Sequence, residues 1–352
     1  MAQKILITGG AGFIGSNFVA YLQKQKKYKI IVFDKLENHA AANDTDIIYV
    51  KGNIISQNDV EDVFKNYGPF TTVFHLASAM PNKEVNDAKM LETNVIGTKN
   101  LISSAVKHKT KAFVFTSSNV TYGIPEALPT TEEMIPIPLE VYGKSKILAE
   151  EELKKFKGRI NIQIIRCPVV SGLGRLGLQA ILFDFISDNK KVYVLGDGSN
   201  KYQFVDVTDV CTALEKASQV RGFDIYNIGA DEILTLKEIY LRVIKHAKST
   251  SKIVCLPSTL ALFILSILDK LNLSPLGVYQ YSMIGRSLYT DTTKIKKKLH
   301  WKPLKTNADT FIENYDWYIK NKGNFTQIGS GDFSANRSVP KMGVLTLLKM
   351  IS

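Results

Sequence analysis

The sequence predicts an α/β fold, a doubly wound parallel sheet with a smaller, mostly helical C-terminal lobe. Three observations lead there. The first half of the chain alternates short apolar runs with helical patterns, a glycine-rich turn joins the first run to the first helix, and the alternation stops after Pro168. The runs 4–10, 29–34, 47–53, 72–78, 111–118 and 162–168 are short and rich in Ile, Val and Phe, as strands buried on both faces are. Helical stretches at 13–27, 57–67, 87–108 and 142–156 separate several of them.

After Pro168 come glycines at 172, 174 and 177, an apolar helix near 178–187, and the polar loop GDGSNKYQ at 196–203. FVDVTDV (204–210) reads as a strand entering a helix, and YNIG (226–229) as one more strand. The region from 231 to about 320 reads as helices with loops. The expected organisation is a cofactor-binding domain at 1–168, to which 204–229 returns, and a substrate lobe formed by 169–203 and 230–320. Residues 321–338, rich in Gly, Asn and Ser, read as a flexible linker, and 339–352 as a C-terminal amphipathic helix.

Composition narrows the function classes. The chain has 352 residues, 45% hydrophobic and 22% charged, a globular balance. Cys167, Cys211 and Cys255 are far apart with no CxxC pair, which argues against a disulfide framework or a zinc site and fits a reducing cytoplasm. MAQKILITGG moves straight into a strand-like run, so no signal peptide is read and no metal is expected. The net charge of +12 is gathered at 23–29, 107–111, 154–159 and 294–302. Singly these are solvated helix ends; together they favour an anionic partner, a phosphorylated substrate or an acidic membrane surface. No recognition motif accompanies the charge, so nucleic acid is not expected.

Chemistry first appears in TGGAGFIGSN (8–17). Gly10, Gly12 and Gly15 satisfy GxGxxG, while Gly9, Gly12 and Gly15 satisfy GxxGxxG. Glycine permits the tight turn and lets the backbone approach a pyrophosphate at the helix N-terminus, where Phe13 and Ile14 lie. Asp34 closes the second strand about twenty residues on, and such a carboxylate takes both ribose hydroxyls and repels a 2′-phosphate. The cofactor expected is NAD in a Rossmann-type site. Farther on, VYGKSK (141–146) sets Tyr142 and Lys146 on one helix face, and FTSSNVTYG (115–123) ends a strand in Ser117 and Ser118.

With HLAS (75–78), NVIGTKNL (94–101) and GDG…FVDVTDV in the same order, residues 1 to about 320 resemble the extended short-chain dehydrogenase/reductase family, within it the NAD-dependent epimerase/dehydratase group. The resemblance implies that Tyr142 is the general acid/base, that Lys146 is its electrostatic partner and ribose anchor, and that Ser118 bonds the substrate oxygen. It also implies that Asn53 and Ile54 flank the adenine and that Leu76, Ala77 and Ser78 line the cofactor cleft. Asn53 replaces the aspartate usual there. A homodimer through the helices at 87–108 and 142–156 is a further family expectation.

Dehydratases of the group carry an acidic pair directly after the catalytic hydroxyl residue; here Asn119 and Val120 stand there. Epimerisation or simple oxidoreduction remains. Two residues expected near a sugar diphosphate are replaced, the asparagine by Val169 and the loop arginine by Tyr202. Arg286 is left as the candidate phosphate ligand with Arg175 to assist it; pairing with a surface carboxylate is an equal reading for Arg175 and the weaker one for Arg286. The uncharged stretch 253–268 reads as a core helix of the lobe, or as an apolar surface for a lipid-tailed substrate or membrane docking. The expectation is an NAD-dependent epimerase, acting at C4 of a diphosphate-linked sugar carried by a nucleotide or a polyprenyl group, for surface polysaccharide synthesis. It would work in the cytoplasm, with peripheral contact at the inner membrane face as a further reading. The alternatives are an oxidoreductase of the 3β-hydroxysteroid dehydrogenase or keto-sugar reductase type, and a non-catalytic NAD-binding protein.

Overall fold

The computed structural model describes residues 3–36, 46–81, 85–177, 179–257, 283 and 285–322. Strands β1 (Gln3–Thr8), β2 (Tyr28–Asp34), β3 (Ile47–Lys51), β4 (Thr72–His75), β5 (Ala112–Ser118) and β6 (Asn161–Cys167) carry the first half. Beyond them lie β7 (Val169–Ser171), β8 (Val192–Leu195), β9 (Phe204–Asp206), β10 (Phe223–Asn227) and β11 (Ile253–Leu256). A seven-stranded sheet runs β10-β6-β5-β4-β1-β2-β3, and all its pairings are parallel.

Helices α1 (Phe13–Gln23), α2 (Gln57–Tyr67), α3 (Asp87–Leu91), α4 (Gly97–Lys107), α5 (Val141–Lys154), α7 (Val207–Ala217) and α9 (Thr293–Leu299) flank the sheet, while α6 (Gln179–Ser187), α8 (Leu236–His246) and α10 (Asn307–Asn321) belong to the smaller lobe. Successive β1 residues supply opposite cores, because side chains alternate across a strand. Ile5 and Ile7 join Phe18, Phe74, Val210, Leu214 and Trp301 on the α1/α7 face. Leu6 joins Phe64, Leu101, Phe113, Ala149 and Leu153 on the α2/α4/α5 face. A third core, around Phe183, Ile239, Val243, Phe311 and Tyr318, holds the smaller lobe together.

The strand order reverses beside β1: β2 and β3 extend one way, β4, β5, β6 and β10 the other. The C-terminal ends of β1 and β4 therefore border the crevice where doubly wound sheets bind ligands.

Several sequence readings change. β1 stops at Thr8, because Gly9 turns the chain with a left-handed φ of +73°. FVDVTDV is strand only over Phe204–Asp206; the Asp206 carboxylate then caps α7 by accepting from Thr208 N. β9 pairs with β7 outside the main sheet, whereas β10 is that sheet's edge strand beside β6. The stretch 253–268, read as a helix, begins instead with β11, which pairs with β8. Residues 258–268, most of the expected linker (323–338) and the terminal helix (339–352) lie outside the described residues. Asn321, read as the start of that linker, is the last residue of α10. The helix expected over 87–108 is a run from Asp87 to Lys107 interrupted by a π-helical turn, Glu92–Ile96.

Candidate active site

The cofactor cradle is made mainly of backbone. A Cβ on Gly9 would lie 2.5 Å from Ala77 N, and one on Gly15 only 2.1 Å from the Gly9 carbonyl oxygen, so neither position admits a side chain without movement. Gly12 stands at the N-cap of α1, and no side chain caps the first turn, which holds Phe13, Ile14 and Gly15. Such a turn is suited to a pyrophosphate. The Asp34 carboxylate accepts from Ala11 N at 3.0 Å and from Leu36 N at 3.1 Å, bracing the glycine loop from the end of β2.

Asn53 is exposed and its side-chain oxygen accepts from Ile55 N at 3.1 Å, a turn an aspartate would also make. Ile54 is buried, and its Cδ1 would lie 2.5 Å from a Cβ on Gly97. Leu76, Ala77 and Ser78 leave β4 beside the glycine loop, with Leu76 N donating to Thr8 O at 3.1 Å and Ala77 N to Thr8 Oγ1 at 3.4 Å.

Two residues inside the quoted motifs hold this edge of the crevice, and sequence reasoning gave them no role. His75 is fully buried between Thr8 and Thr98. The Thr98 hydroxyl donates to Asn94 O at 2.6 Å, so it accepts from His75 Nε2 at 2.9 Å; His75 Nδ1 then accepts from Thr8 Oγ1 at 2.7 Å. The ring is thus neutral with its proton on Nε2, and burial, aided by the Lys146 charge, pushes its pKa down to about 3. Asn94 lies in the π-helical turn. Its Oδ1 accepts from Ala79 N (2.7 Å) and Ser78 Oγ (3.1 Å), and its Nδ2 donates to Ala79 O (3.0 Å) and Ser145 Oγ (2.9 Å). The signal in the sequence was a polar residue on the buried face of a helix, which must find partners.

On the far side, Ser118 ends β5, and its Oγ accepts from Val120 N at 3.4 Å as the cap of a 3₁₀ turn over Asn119–Tyr122. Tyr142 and Lys146 lie one turn apart on α5, the lysine only 2% exposed. Lys146 Nζ donates to Thr116 O at 3.0 Å and lies 4.7 Å from the Phe115 ring centre and 5.8 Å from that of Tyr142. Burial lowers the Lys146 pKa to about 8 and raises that of Tyr142; a hydrogen bond with Ser78 and the charge of Arg175 oppose the rise. Both shifts favour the neutral forms, so burial makes the phenol hold its proton more tightly and the ammonium less tightly than in water.

The residues expected to meet substrate differ in exposure. Val169, on β7, is 45% exposed. Arg175 follows β7, with its guanidinium 5.1 Å from the Phe13 ring centre, where it ties the glycine loop to the smaller lobe. Tyr202 packs its ring on Phe204 at 5.2 Å, and burial raises its pKa to about 12. Arg286 is exposed, on a segment joined to the stretch just before β9 by Leu288 N donating to Lys201 O at 2.8 Å and Lys201 N to Ser287 Oγ at 3.0 Å. The charge of Arg175 thus acts on Tyr142, whereas Arg286 is exposed. Among the described residues no cluster of His, Cys, Asp and Glu could hold a metal, and no helix is long and apolar enough to cross a membrane.

Residues 5–229 match the sequence profile described as the NAD dependent epimerase/dehydratase family. The chain belongs to that family. It is 35% identical over 350 residues, 99% of its length and 86% of the relative's, to the "Uncharacterized protein y4nG" of Sinorhizobium fredii (strain NBRC 101917 / NGR234). Its fold is similar to the UDP-glucose 4-epimerase of Thermotoga maritima, solved with UDP-glucose, at a TM-score of 0.74 and 26% identity, covering 91% of this chain and 100% of that one. It is also similar to the dTDP-glucose 4,6-dehydratase of Bacillus anthracis, solved with NAD, at 0.72 and 27%, covering 92% and 98%. This epimerase/dehydratase family member is an NAD-dependent enzyme. The tight Gly9–Gly15 approach, the uncapped first turn of α1 and the Asp34 carboxylate fit NAD, which when bound supplies hydride acceptance and return.

Proposed function

We propose that the protein is an NAD-retaining epimerase acting at C4 of a diphosphate-linked sugar, for surface polysaccharide synthesis. The observation that carries this reading is the pairing of Tyr142 and Lys146 on α5 beside β5, the strand that ends in Ser118, with no acid at the two positions after Ser118. Tyr142 takes the proton of the reacting hydroxyl, the Lys146 ammonium stabilises the phenolate, and Ser118 bonds the substrate oxygen while it is a carbonyl. Asn119 is buried and Val120 is apolar, so neither can protonate a departing hydroxyl as dehydration needs. The fate left to the keto sugar is hydride return to its other face.

The diphosphate meets Arg286, with Arg175 nearer the sugar. An exposed Val169 and a tyrosine in place of the loop arginine favour a polyprenyl diphosphate carrier over a nucleotide. They equally support the second reading, a dehydrogenase of the 3β-hydroxysteroid type with an apolar pocket. The net charge of +12 suits an anionic membrane face, and a homodimer through α3, α4 and α5 completes the proposal.

The deciding experiment is turnover without added NAD on UDP-N-acetylglucosamine and on polyprenyl-diphosphate N-acetylglucosamine in parallel. An epimer from the lipid-linked sugar alone supports the polyprenyl reading, and one from the nucleotide sugar assigns a nucleotide carrier. No product from either, with NADH formed from added NAD and a hydrophobic alcohol, replaces the epimerase with the dehydrogenase.

A further inference from the structure

Behind the reacting groups lies a buried polar chain that the reaction as described does not use. Glu150 is one turn beyond Lys146 on α5, so Tyr142, Lys146 and Glu150 share a helix face. Its carboxylate accepts from Arg166 Nε at 3.0 Å and Nη2 at 2.6 Å, and from Ser117 Oγ at 2.5 Å. Arg166 Nη1 donates to Tyr122 Oη at 2.9 Å, its guanidinium lying 4.9 Å from that ring's centre, and Tyr122 Oη donates to Asn227 Oδ1 at 2.8 Å. Glu150 and Arg166 are only 6% and 3% exposed.

The partners come from both sides of the catalytic set. Ser117 precedes Ser118 on β5, Tyr122 closes the turn that follows it, and Arg166 is Ser117's neighbour in register on β6. Glu150 belongs to the helix that presents Tyr142 and Lys146. A buried ion pair gives little net stability, because desolvation offsets its Coulomb attraction; its distinctive property is a fixed geometry. We propose that the Glu150–Arg166 pair is a positioning element, which fixes the Ser118 turn against the Tyr142–Lys146 helix and so sets the gap in which the substrate oxygen reacts.

The test separates positioning from folding, and its turnover arm rests on the epimerase reading. Glu150→Met or Arg166→Met alone leaves a buried charge and lowers the melting temperature. The double variant carries no such charge and recovers it. Two quantities are then read on NAD-bound protein. One is kcat and KM on both N-acetylglucosamine diphosphates; the other is the titration midpoint of Tyr142, from the ¹³Cζ tyrosine signal assigned by Tyr142→Phe. The groups facing that phenol are Lys146 and Glu140 from its own helix, Ser78 beyond β4, Cys167 on β6 and Arg175 after β7, none of them altered.

Positioning predicts that in the refolded double variant kcat stays down about tenfold or more at unchanged KM, and that the Tyr142 midpoint stays displaced upward as Lys146 swings away. Recovery of both along with the melting temperature overturns the proposal. Should the wild type turn over neither sugar, the epimerase reading fails and the Tyr142 midpoint alone decides the positioning role. Arg166→Lys keeps a buried charge pair but cannot reach Glu150 and Tyr122 together. A wild-type kcat and Tyr142 midpoint in that variant would equally overturn the proposal.

Discussion

On the cofactor side of the crevice the decisive approaches are between backbone segments, the Gly9 carbonyl against Gly15 and Ala77 N against Gly9, with the Asp34 carboxylate bracing Ala11 N. At the residues proposed for the substrate side they are side chains, with Val169 and Arg286 exposed and Tyr202 folded onto Phe204. A backbone cradle tolerates almost no change at its glycines, because the chain path itself would have to move. A set of side chains can be rewritten without disturbing the fold. The two departures at the expected diphosphate contacts, Val169 and Tyr202, are both side-chain positions of that proposed substrate side, while the departure at Asn53 preserves a turn through its acceptor oxygen.

Removing the reacting hydroxyl should have the largest effect. Tyr142→Phe is expected to lower kcat about 10³-fold while bound NAD, read by its absorbance, stays at wild-type occupancy. Loss of NAD in that variant would mean that the phenol belongs to the cofactor side as well.

The clamp at His75 should appear in acid. Its folded pKa, near 3, lies below the unfolded value of 6.5, so the unfolded chain binds the additional proton. Stability from this group is complete above about 6.5 and is lost as pH falls towards 3, by about 3–5 kcal/mol. Thermal melts across that window should slope less in His75→Gln than in the wild type. Parallel slopes would assign the acid loss to other groups.

Gly15→Val should weaken NAD binding by about 10–100-fold, since its Cβ meets the Gly9 carbonyl, whereas Val169→Asn should leave it within about twofold. Titration of apoprotein with NAD measures both, and equal losses would erase the distinction between the backbone cradle and those side chains. The smallest effect is expected from Arg286→Ala, a rise in KM of about tenfold for a diphosphate sugar with kcat unchanged. An unchanged KM would remove Arg286 from the phosphate site and leave Arg175 as the candidate.

Legibility in the sequence followed the distance between interacting residues. Tyr142 and Lys146 were readable because a helix places i and i+4 together whatever surrounds it. The glycine loop was readable because its signal is confined to 9–15. Asn94, His75 and the Glu150–Arg166 pair were not, since their partners come from separate strands and turns. A buried carboxylate or imidazole announces that it needs a partner without saying which. The stretch starting at 253 was misread for the same reason: an uncharged run fits a helix or a buried strand, and the open edge of β8 made its first four residues a strand.

The sequence by itself determined the order of strands and helices as far as β6, the glycine turn with its acid on the next strand, and the helical face that carries the tyrosine and lysine. These follow from periodicity and from backbone freedom, which act over a few residues. Only the tertiary structure decided which polar groups close the site, that β10 completes the sheet beside β6, and that the Arg175 charge acts on the phenol. Those outcomes depend on which distant segments share a buried volume, and hydrogen-bonding groups excluded from water must pair with whatever the fold brings there.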